Sequence, residues 1–380
     1  MTPAARLAAA IQILDRILAG SPAEQALTNW ARTSRFAGSG DRAAIRDHVF
    51  DALRCRRSFA ALGGGETGRG LILGGVRAAG VDVAPLFTGD GHAPLPLMAA
   101  ETARAPDGDE GLDLPGWLLP RLRRDLGADL PAIAEALRHR APVFLRTNLA
   151  RADRATAQVR LAAEEIETRP HPLSPSALEV VAGARRIQSC ATYAEGVVEL
   201  QDAASQAVVD MLPLSNGMKV LDFCAGGGGK TLAMAARARL MLFAHDADRR
   251  RMRDLPARAK RAGVRVTLVD NPDQAFDLVL ADVPCSGSGS WRRAPEGKWL
   301  LTEARLAELI VIQAAILDRV ALRVRPGGWL GYVTCSLLSG ENRDQVDAFL
   351  ARHSGWRLEA ERRLTPLDGG DGFYAAVLRR

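Results

Sequence analysis

The sequence predicts an α/β protein whose carboxyl-terminal half folds around a parallel sheet, and three observations carry that prediction. From Glu195 onward, apolar strand-like runs alternate with helical stretches, a pattern that builds parallel sheets with right-handed crossovers. The first run opens into a glycine-rich turn, Asp222-Phe223-Cys224-Ala225-Gly226-Gly227-Gly228-Gly229-Lys230-Thr231. Two cysteines stand where later strands should end, in Asp282-Val283-Pro284-Cys285-Ser286 and Tyr332-Val333-Thr334-Cys335-Ser336. Ligands of an open α/β sheet bind outside the carboxyl ends of its strands, so the turn and both thiols should converge on one edge.

The amino-terminal residues read as helices. Leu7, Ile11, Leu14 and Leu18 recur at helical spacing. Asp41, after Gly38-Ser39-Gly40, can cap a second helix that sets Ile45, Val49 and Leu53 on one face. Arg42, Arg46, Arg54, Arg56 and Arg57 occupy its other faces, as a solvated surface or as a lining for an RNA backbone. The glycines between Gly63 and Gly75 break the helical pattern, and helix resumes around residues 114–138.

From Arg140 the texture changes to Arg-Ala-Pro-Val-Phe-Leu-Arg-Thr-Asn, a short strand, followed by a helix over 151–166 and further strands to about Cys190. Element lengths make this a small α/β subdomain. The main sheet then takes strands at 219–224, 240–246, 264–270, 276–283 and 329–335, with helices such as 301–324 and 341–353. The expected domains are a helical one over 1–139, the small α/β subdomain over 140–192 and the sheet domain over 193–380.

Composition narrows the class. The 380 residues are 47% hydrophobic and 25% charged, ordinary globular material. No apolar run approaches the ~20 residues of a membrane helix, and Arg6, Asp15 and Arg16 interrupt the first apolar residues as no signal peptide would. The five cysteines form no Cys-x-x-Cys pair, which argues against a zinc site or a disulfide framework and fits a reducing cytoplasm. A net charge of +6 suits an anionic partner such as nucleic acid.

Three readings compete for the glycine-rich turn. A nucleotide phosphate loop needs glycine five residues before the Gly-Lys-Thr, and Cys224 stands there. A dinucleotide fingerprint fits the glycine run only loosely. The third reading is an adenosyl cofactor such as S-adenosylmethionine, held by backbone N–H groups of Cys224, Ala225, Gly226, Gly227, Gly228 and Gly229. Asp246 then ends the second strand 20 residues after Gly226, the spacing of a ribose-binding acid. Asp270 ends the third strand within reach of an adenine amino group.

The thiols point to covalent chemistry. Strands lie ~4.8 Å apart, so Cys285 and Cys335, at the ends of neighbouring strands, can share a site. The plain alternative is that each is a small buried hydrophobe, and Cys55 and Cys190 keep that reading. Asp-Val-Pro-Cys is similar to the Asn/Asp-Pro-Pro-aromatic signature of amino-directed methyltransferases, with a thiol in place of the aromatic. Amino groups need only positioning, whereas carbon 5 of a pyrimidine becomes nucleophilic only after a thiolate adds to carbon 6.

These residues resemble the Sun/nucleolar-protein family of RNA (cytosine-5) methyltransferases, on its bacterial RsmB-like rRNA branch. The stretches that carry the resemblance are Glu195-Gly196 with Gln201-Asp202-Ala203-Ala204-Ser205, residues 222–231, residues 282–289, Arg292-Arg293-Ala294-Pro295-Glu296-Gly297-Lys298-Trp299, Thr334-Cys335-Ser336 with Glu341-Asn342, and Asp371-Gly372-Phe373-Tyr374. Two departures stand out: Gly226-Gly227 where the family has Ala-Pro, and Ala294 where asparagine is common.

The resemblance implies a class I, Rossmann-like S-adenosylmethionine-dependent methyltransferase domain, a small RNA-binding subdomain and a diverged NusB-like amino-terminal domain. It implies Cys335 as the nucleophile, Cys285 as the residue that helps break down the adduct, Asp282 on the cytosine edge assisting ring protonation, and Lys230 on the target base or its phosphate. Asp246, Arg251, Asp270, Asp282 and the 224–230 turn would hold the cofactor. DNA enzymes of this chemistry attack with the Pro-Cys thiol and lack the Thr-Cys partner, so having both favours RNA. Ribosomal RNA leads as substrate and transfer RNA stays open; nothing requires a metal, a membrane or more than a monomer. The alternatives are a non-catalytic ribosome-assembly factor, which had no need to keep Cys285, Cys335, Asp282 and Lys230, and a small-molecule methyltransferase, which the basic charge and extra domains disfavour. Arg292, Arg293, Lys298 and Trp299 form a basic–aromatic cluster; its plain reading is helix capping and packing by Trp299, and the resemblance favours contact with RNA or positioning of the catalytic loop.

Overall fold

The computed structural model describes all 380 residues. They divide into two compact units, one of Met1–Arg140 with Trp291–Leu300, the other of Ala141–Ser290 with Leu301–Arg380.

The first unit is helical. Pro3–Leu18, Ala23–Thr33, Ser39–Arg54, Arg56–Gly63 and Gly68–Ala78 surround a core that includes Leu7, Ile13, Leu14, Ile45, Val49, Leu53 and Leu71. Asp41 lies in the first turn of its helix rather than before it, and accepts the N–H of Gly38. The glycines between 63 and 75 break the helical pattern only at their start, where Arg56–Gly63 ends on a left-handed Gly64. Gly68–Ala78 is a helix through that stretch, and the missing side chains let backbones touch. A Cβ on Gly74 would lie 1.9 Å from the Phe59 carbonyl oxygen, and one on Gly63 would lie 1.8 Å from that of Gly70.

The five arginines singled out between Arg42 and Arg57 all have protein partners within this unit. Arg54 is buried and donates to the Arg292 carbonyl, Arg57 donates to the carbonyls of Asp109 and Leu114, and Arg46 and Arg56 pair with Glu24 and Glu66. The decapeptide Trp291–Leu300 is held just as firmly. Lys298 is 1% exposed and its Nζ donates at 2.7 Å to the carbonyls of Arg54 and Asp113. Trp299 Nε1 donates to the Leu53 carbonyl, and Glu296 accepts the Ala23 N–H at 3.0 Å. Lys298 therefore cannot reach RNA phosphate, and of the two readings of this cluster it takes the structural one.

The second unit carries two sheets. The small one holds β1 (Val143–Thr147), β2 (Glu167–Pro170), β3 (Ala177–Ala182) and β4 (Val198–Leu200) in the order β2-β3-β1-β4, with every pair antiparallel. Its helix, Arg154–Ala163, starts on an Asp153 side-chain cap. β4 takes this sheet past residue 192, where the sequence reading ends the subdomain.

The large sheet holds β5 (Lys219–Asp222), β6 (Met241–Ala244), β7 (Val266–Leu268), β8 (Phe276–Asp282), β9 (Val324–Thr334), β10 (Arg357–Leu364) and β11 (Phe373–Arg379) in the order β10-β11-β9-β8-β5-β6-β7. β5 to β9 pair in parallel. β10 and β11, which the sequence reading does not separate out, add an antiparallel edge. Alternate residues of β8 serve opposite faces: Leu278 and Leu280 join one core, Val279 and Ala281 the other. Both faces are thus covered, as a parallel sheet requires.

Candidate active site

The carboxyl ends of β5, β8 and β9 bring the site together. β8 and β9 are adjacent, with Asp282 opposite Val333. Asp282 ends β8, Cys285 follows three residues later, and Cys335 directly follows Thr334, the last residue of β9. Val283 N–H donates to the Val333 carbonyl and Gly289 N–H to the Cys335 carbonyl at 2.9 Å, so the two loops continue the pairing of their strands. Gly289 must be glycine: a Cβ there would lie 2.1 Å from the Gly372 carbonyl oxygen.

The two sulfurs are 3.4 Å apart. A hydrogen bond from Cys285 S–H holds the Cys335 thiol below its ordinary value; burial opposes this and the nearby Lys230 ammonium adds to it. The Cys285 thiol is pushed well up by that same bond, by burial and by the charges of Cys335 and Glu341. The environment thus separates one thiol primed to ionise from one that keeps its proton. Separation of this kind is how paired groups take different roles.

Lys230, on the helix Gly229–Ala235 after the glycine turn, is 8% exposed. Its Nζ donates to Asp282 Oδ2 at 2.7 Å and lies 5.0 Å from the centre of the Phe373 ring. Burial opposes its charge, but the charge and hydrogen bond of Asp282 outweigh burial and hold the ammonium above its usual range. Asp282, Lys230, Cys285 and Cys335 therefore form one cluster.

The glycine turn closes on Asp246. Gly226 and Gly228 have φ of +49° and +80°, which only glycine adopts freely. Asp246 is buried; its carboxylate accepts the Gly226 N–H at 3.0 Å and pairs with Arg251 at 3.2 Å. Asp222, below the turn, accepts the Thr231 hydroxyl through Oδ2 at 2.6 Å, while its buried Oδ1 has no partner. Burial pushes this carboxyl up to about 7. Asp270 lies two residues beyond β7 on the exposed rim, its side chain paired with Arg249 at 2.7 Å. Cys224 and Ala225 form the start of the turn, and Ala225 N–H donates to the His245 carbonyl at 2.9 Å.

Comparison with known proteins gives this geometry a family. Residues 209–379 match the family described as 16S rRNA methyltransferase RsmB/F, and residues 114–185 match the ferredoxin-like domain of the same proteins. The chain is 36% identical over 284 residues to ribosomal RNA small subunit methyltransferase B of Salmonella typhi, covering 70% of this chain and 66% of that protein. The counterpart in Salmonella arizonae is equally similar, 36% over 282 residues, with 70% and 66% covered. This chain belongs to the RsmB/F methyltransferase family. The chain matches 66% of the length of those curated relatives. Among solved structures, a methyltransferase homolog protein from Pyrococcus horikoshii superposes with TM-score 0.63 at 24% identity, covering 71% of this chain and 96% of its own. NSun6 from the same organism, solved with SFG, gives 0.62 at 19%, covering 70% and 98%. At these identities the two structures speak for the fold alone.

Several residues that shape the RsmB/F site escaped the sequence reading. Arg146, on β1 and 4% exposed, donates to the Gly229 carbonyl at 2.8 Å and to Gln201. Arg258 donates to the Gly227 carbonyl. Ser286, Ser288, Ser336 and Gln313 surround a buried Glu341. Ser286, Ser288, Ser336 and Glu341 lay within the stretches that carry the family resemblance, without a role, while Arg146, Arg258 and Gln313 had no signal. No helix is long and apolar enough to cross a membrane.

Proposed function

We propose that the chain is an S-adenosylmethionine-dependent RNA (cytosine-5)-methyltransferase that acts on 16S ribosomal RNA. One observation carries this reading: two thiols 3.4 Å apart at adjacent strand ends, beside the Lys230–Asp282 pair. A carbon methyltransferase needs a nucleophile to activate the pyrimidine and a second group to release it. Names and matches in the RsmB/F family support ribosomal RNA as the substrate.

The turn fits the cofactor. Around Gly226 the nearest atom to an added Cβ is Arg251 Nη2 at 3.6 Å, so a ligand can approach the backbone. Asp246 and Arg251 stand at the carboxyl end of β6, Asp270 on the rim beyond β7, and the lone Oδ1 of Asp222 offers a buried acceptor. Bound S-adenosylmethionine supplies an electrophilic methyl group, which carbon 5 of the cytosine takes. The residues of this chain do the rest. The target base leaves its stack, because its reactive edge is shielded within a helix. Asp282, held by Lys230, faces the base edge with its remaining oxygen. Cys335 adds to carbon 6 as the thiolate while ring nitrogen 3 takes a proton at the Asp282 edge, making carbon 5 an enamine carbon. After methylation water, acting as the base, takes the carbon 5 proton, the carbon 5–carbon 6 double bond re-forms as the bond from sulfur to carbon 6 breaks, and Cys285 S–H stabilises the departing Cys335 thiolate.

Bisulfite sequencing of total RNA from cells with and without the gene tests the proposal. A single 16S cytosine that loses protection in the deletion is the expected result. Loss at a transfer RNA cytosine would move the substrate, and no loss anywhere would overturn the reading.

A further inference from the structure

Each catalytic cysteine is followed by a serine, and the two serines meet on one carboxylate. Glu341 has no exposed surface. Its Oε1 accepts the Ser286 N–H at 2.8 Å and Gln313 Nε2 at 3.0 Å; its Oε2 accepts the hydroxyls of Ser286 and Ser336. Gln313, itself fully buried, also donates to the Pro284 carbonyl at 2.9 Å, so it grips the residue before Cys285. Ser288 Oγ stands 3.1 Å from both serine hydroxyls and accepts the Leu337 N–H at 2.8 Å. Asn342 completes the ring by donating to the Ser336 carbonyl at 2.9 Å and accepting the Thr334 hydroxyl.

A carboxylate out of water costs several kcal/mol unless donors surround it. Here the donors come from both cysteine loops, from segments about 50 residues apart in the chain. The carboxylate has no solvent access and its oxygens are occupied by protein donors, so it is not placed to accept a proton from substrate. What it can do is fix Ser286 relative to Ser336, and with them the sulfurs one residue earlier in each loop.

We propose that Glu341 is the positioning residue that sets the spacing of Cys285 and Cys335, and through it the transfer of hydrogen-bonding between the two thiols. The proposal rests on the reading of Cys335 as nucleophile and Cys285 as its release partner. It explains why a buried acid sits beside a thiol that must keep its proton: the Glu341 charge also opposes ionisation of Cys285.

The test uses the full chain without RNA. Diamide, a two-electron thiol oxidant, should join Cys285 to Cys335 in the native protein, and peptide mapping reads the rate. Glu341→Gln keeps the shape but turns an amide N–H toward donors, and Ser286→Ala removes one arm only, which guards against a variant that fails to fold. Each should slow disulfide formation by about ten-fold or more, since effective concentration falls steeply when paired groups lose alignment. Each should also raise the midpoint of Cys335 alkylation, and leave S-adenosylmethionine affinity near native, because no Glu341 contact reaches the glycine turn. Unchanged disulfide rate and unchanged Cys335 titration in both variants would overturn the proposal, whatever their melting temperatures. Neither readout uses RNA or methyl transfer, so each judges Glu341 apart from the substrate assignment.

Discussion

Cys285 Sγ stands 3.4 Å from Cys335 Sγ, and the hydrogen bond between them lowers the titration of one thiol while raising that of the other. Single alanine variants should therefore fail at different stages. Cys335→Ala should form no covalent complex with RNA. Cys285→Ala should accumulate a complex that survives denaturing electrophoresis and lose turnover by about 10²-fold or more, the range of a missing acid–base partner. The reverse pattern would exchange the two roles.

Because the Cys285 S–H is the largest influence on Cys335, its removal should be visible without substrate. Iodoacetamide labelling of Cys335 should titrate below the ordinary thiol value of 9.0 in the native protein. In Cys285→Ala the midpoint should move up, since burial and Asp282 are then opposed only by Lys230 and the Ser290 hydroxyl. Lys230→Met should move it up as well, by removing the cation. A midpoint indifferent to both changes would mean that the thiolate is stabilised by other groups.

Asp222 should give the fold a pH signature. Its folded value is raised to about 7 from 3.8, so between those values the folded chain keeps a proton that the unfolded chain has lost. Its contribution is fully present below about 4 and is lost as pH rises through 7. Asp222→Asn should remove a penalty on the order of 4 kcal/mol at pH 7.5 and almost none at pH 4. Urea unfolding of native and variant protein at both values checks the difference.

Gly74 and Gly40 should respond in opposite senses. A Cβ at Gly74 meets the Phe59 carbonyl oxygen at 1.9 Å, so Gly74→Ala should destabilise the helical unit by about 1–3 kcal/mol or more. Gly40 sits in the helix Ser39–Arg54 with nothing within 4 Å. Gly40→Ala should leave stability unchanged or raise it by about 0.5–1 kcal/mol. Thermal melts of the two variants decide it.

Lys298→Met should act on stability and not on RNA affinity directly. Burial already pushes this amine down to about 8, and its Nζ serves two main-chain carbonyls. Losing those bonds should cost about 1–3 kcal/mol for each acceptor left unpaired. A variant of native stability whose RNA binding falls and whose salt dependence flattens would instead return Lys298 to the RNA surface.

Much of the main sheet was legible, because a buried parallel strand needs an apolar run and its ligands need glycine or acid at the run's end. Residues 276–283 and β8 agree within one residue. The antiparallel strands β10 and β11 were not legible: Arg357, Arg362 and Arg363 make β10 look like surface, and it is an edge strand with one exposed face. The glycines of Gly68–Ala78 misled for a related reason. Composition records their weak helix propensity but not the backbone of Phe59 that packs against them.

The chain alone carries the signals for the proposed chemistry: a glycine turn, Asp246 at the spacing of a ribose-binding acid, and two cysteines in Pro-Cys and Thr-Cys contexts. These are local signals, written in residue type and spacing. Which arginines and lysines are buried or paired, and how two thiols come to differ, depends on how the chain packs. Charge is read from sequence, but its effect depends on burial and on partners distant in the chain, as Lys298 with Asp113 and Glu341 with Ser286 demonstrate. A side chain's identity fixes what it can donate or accept, and packing alone fixes what stands within 3 Å of it.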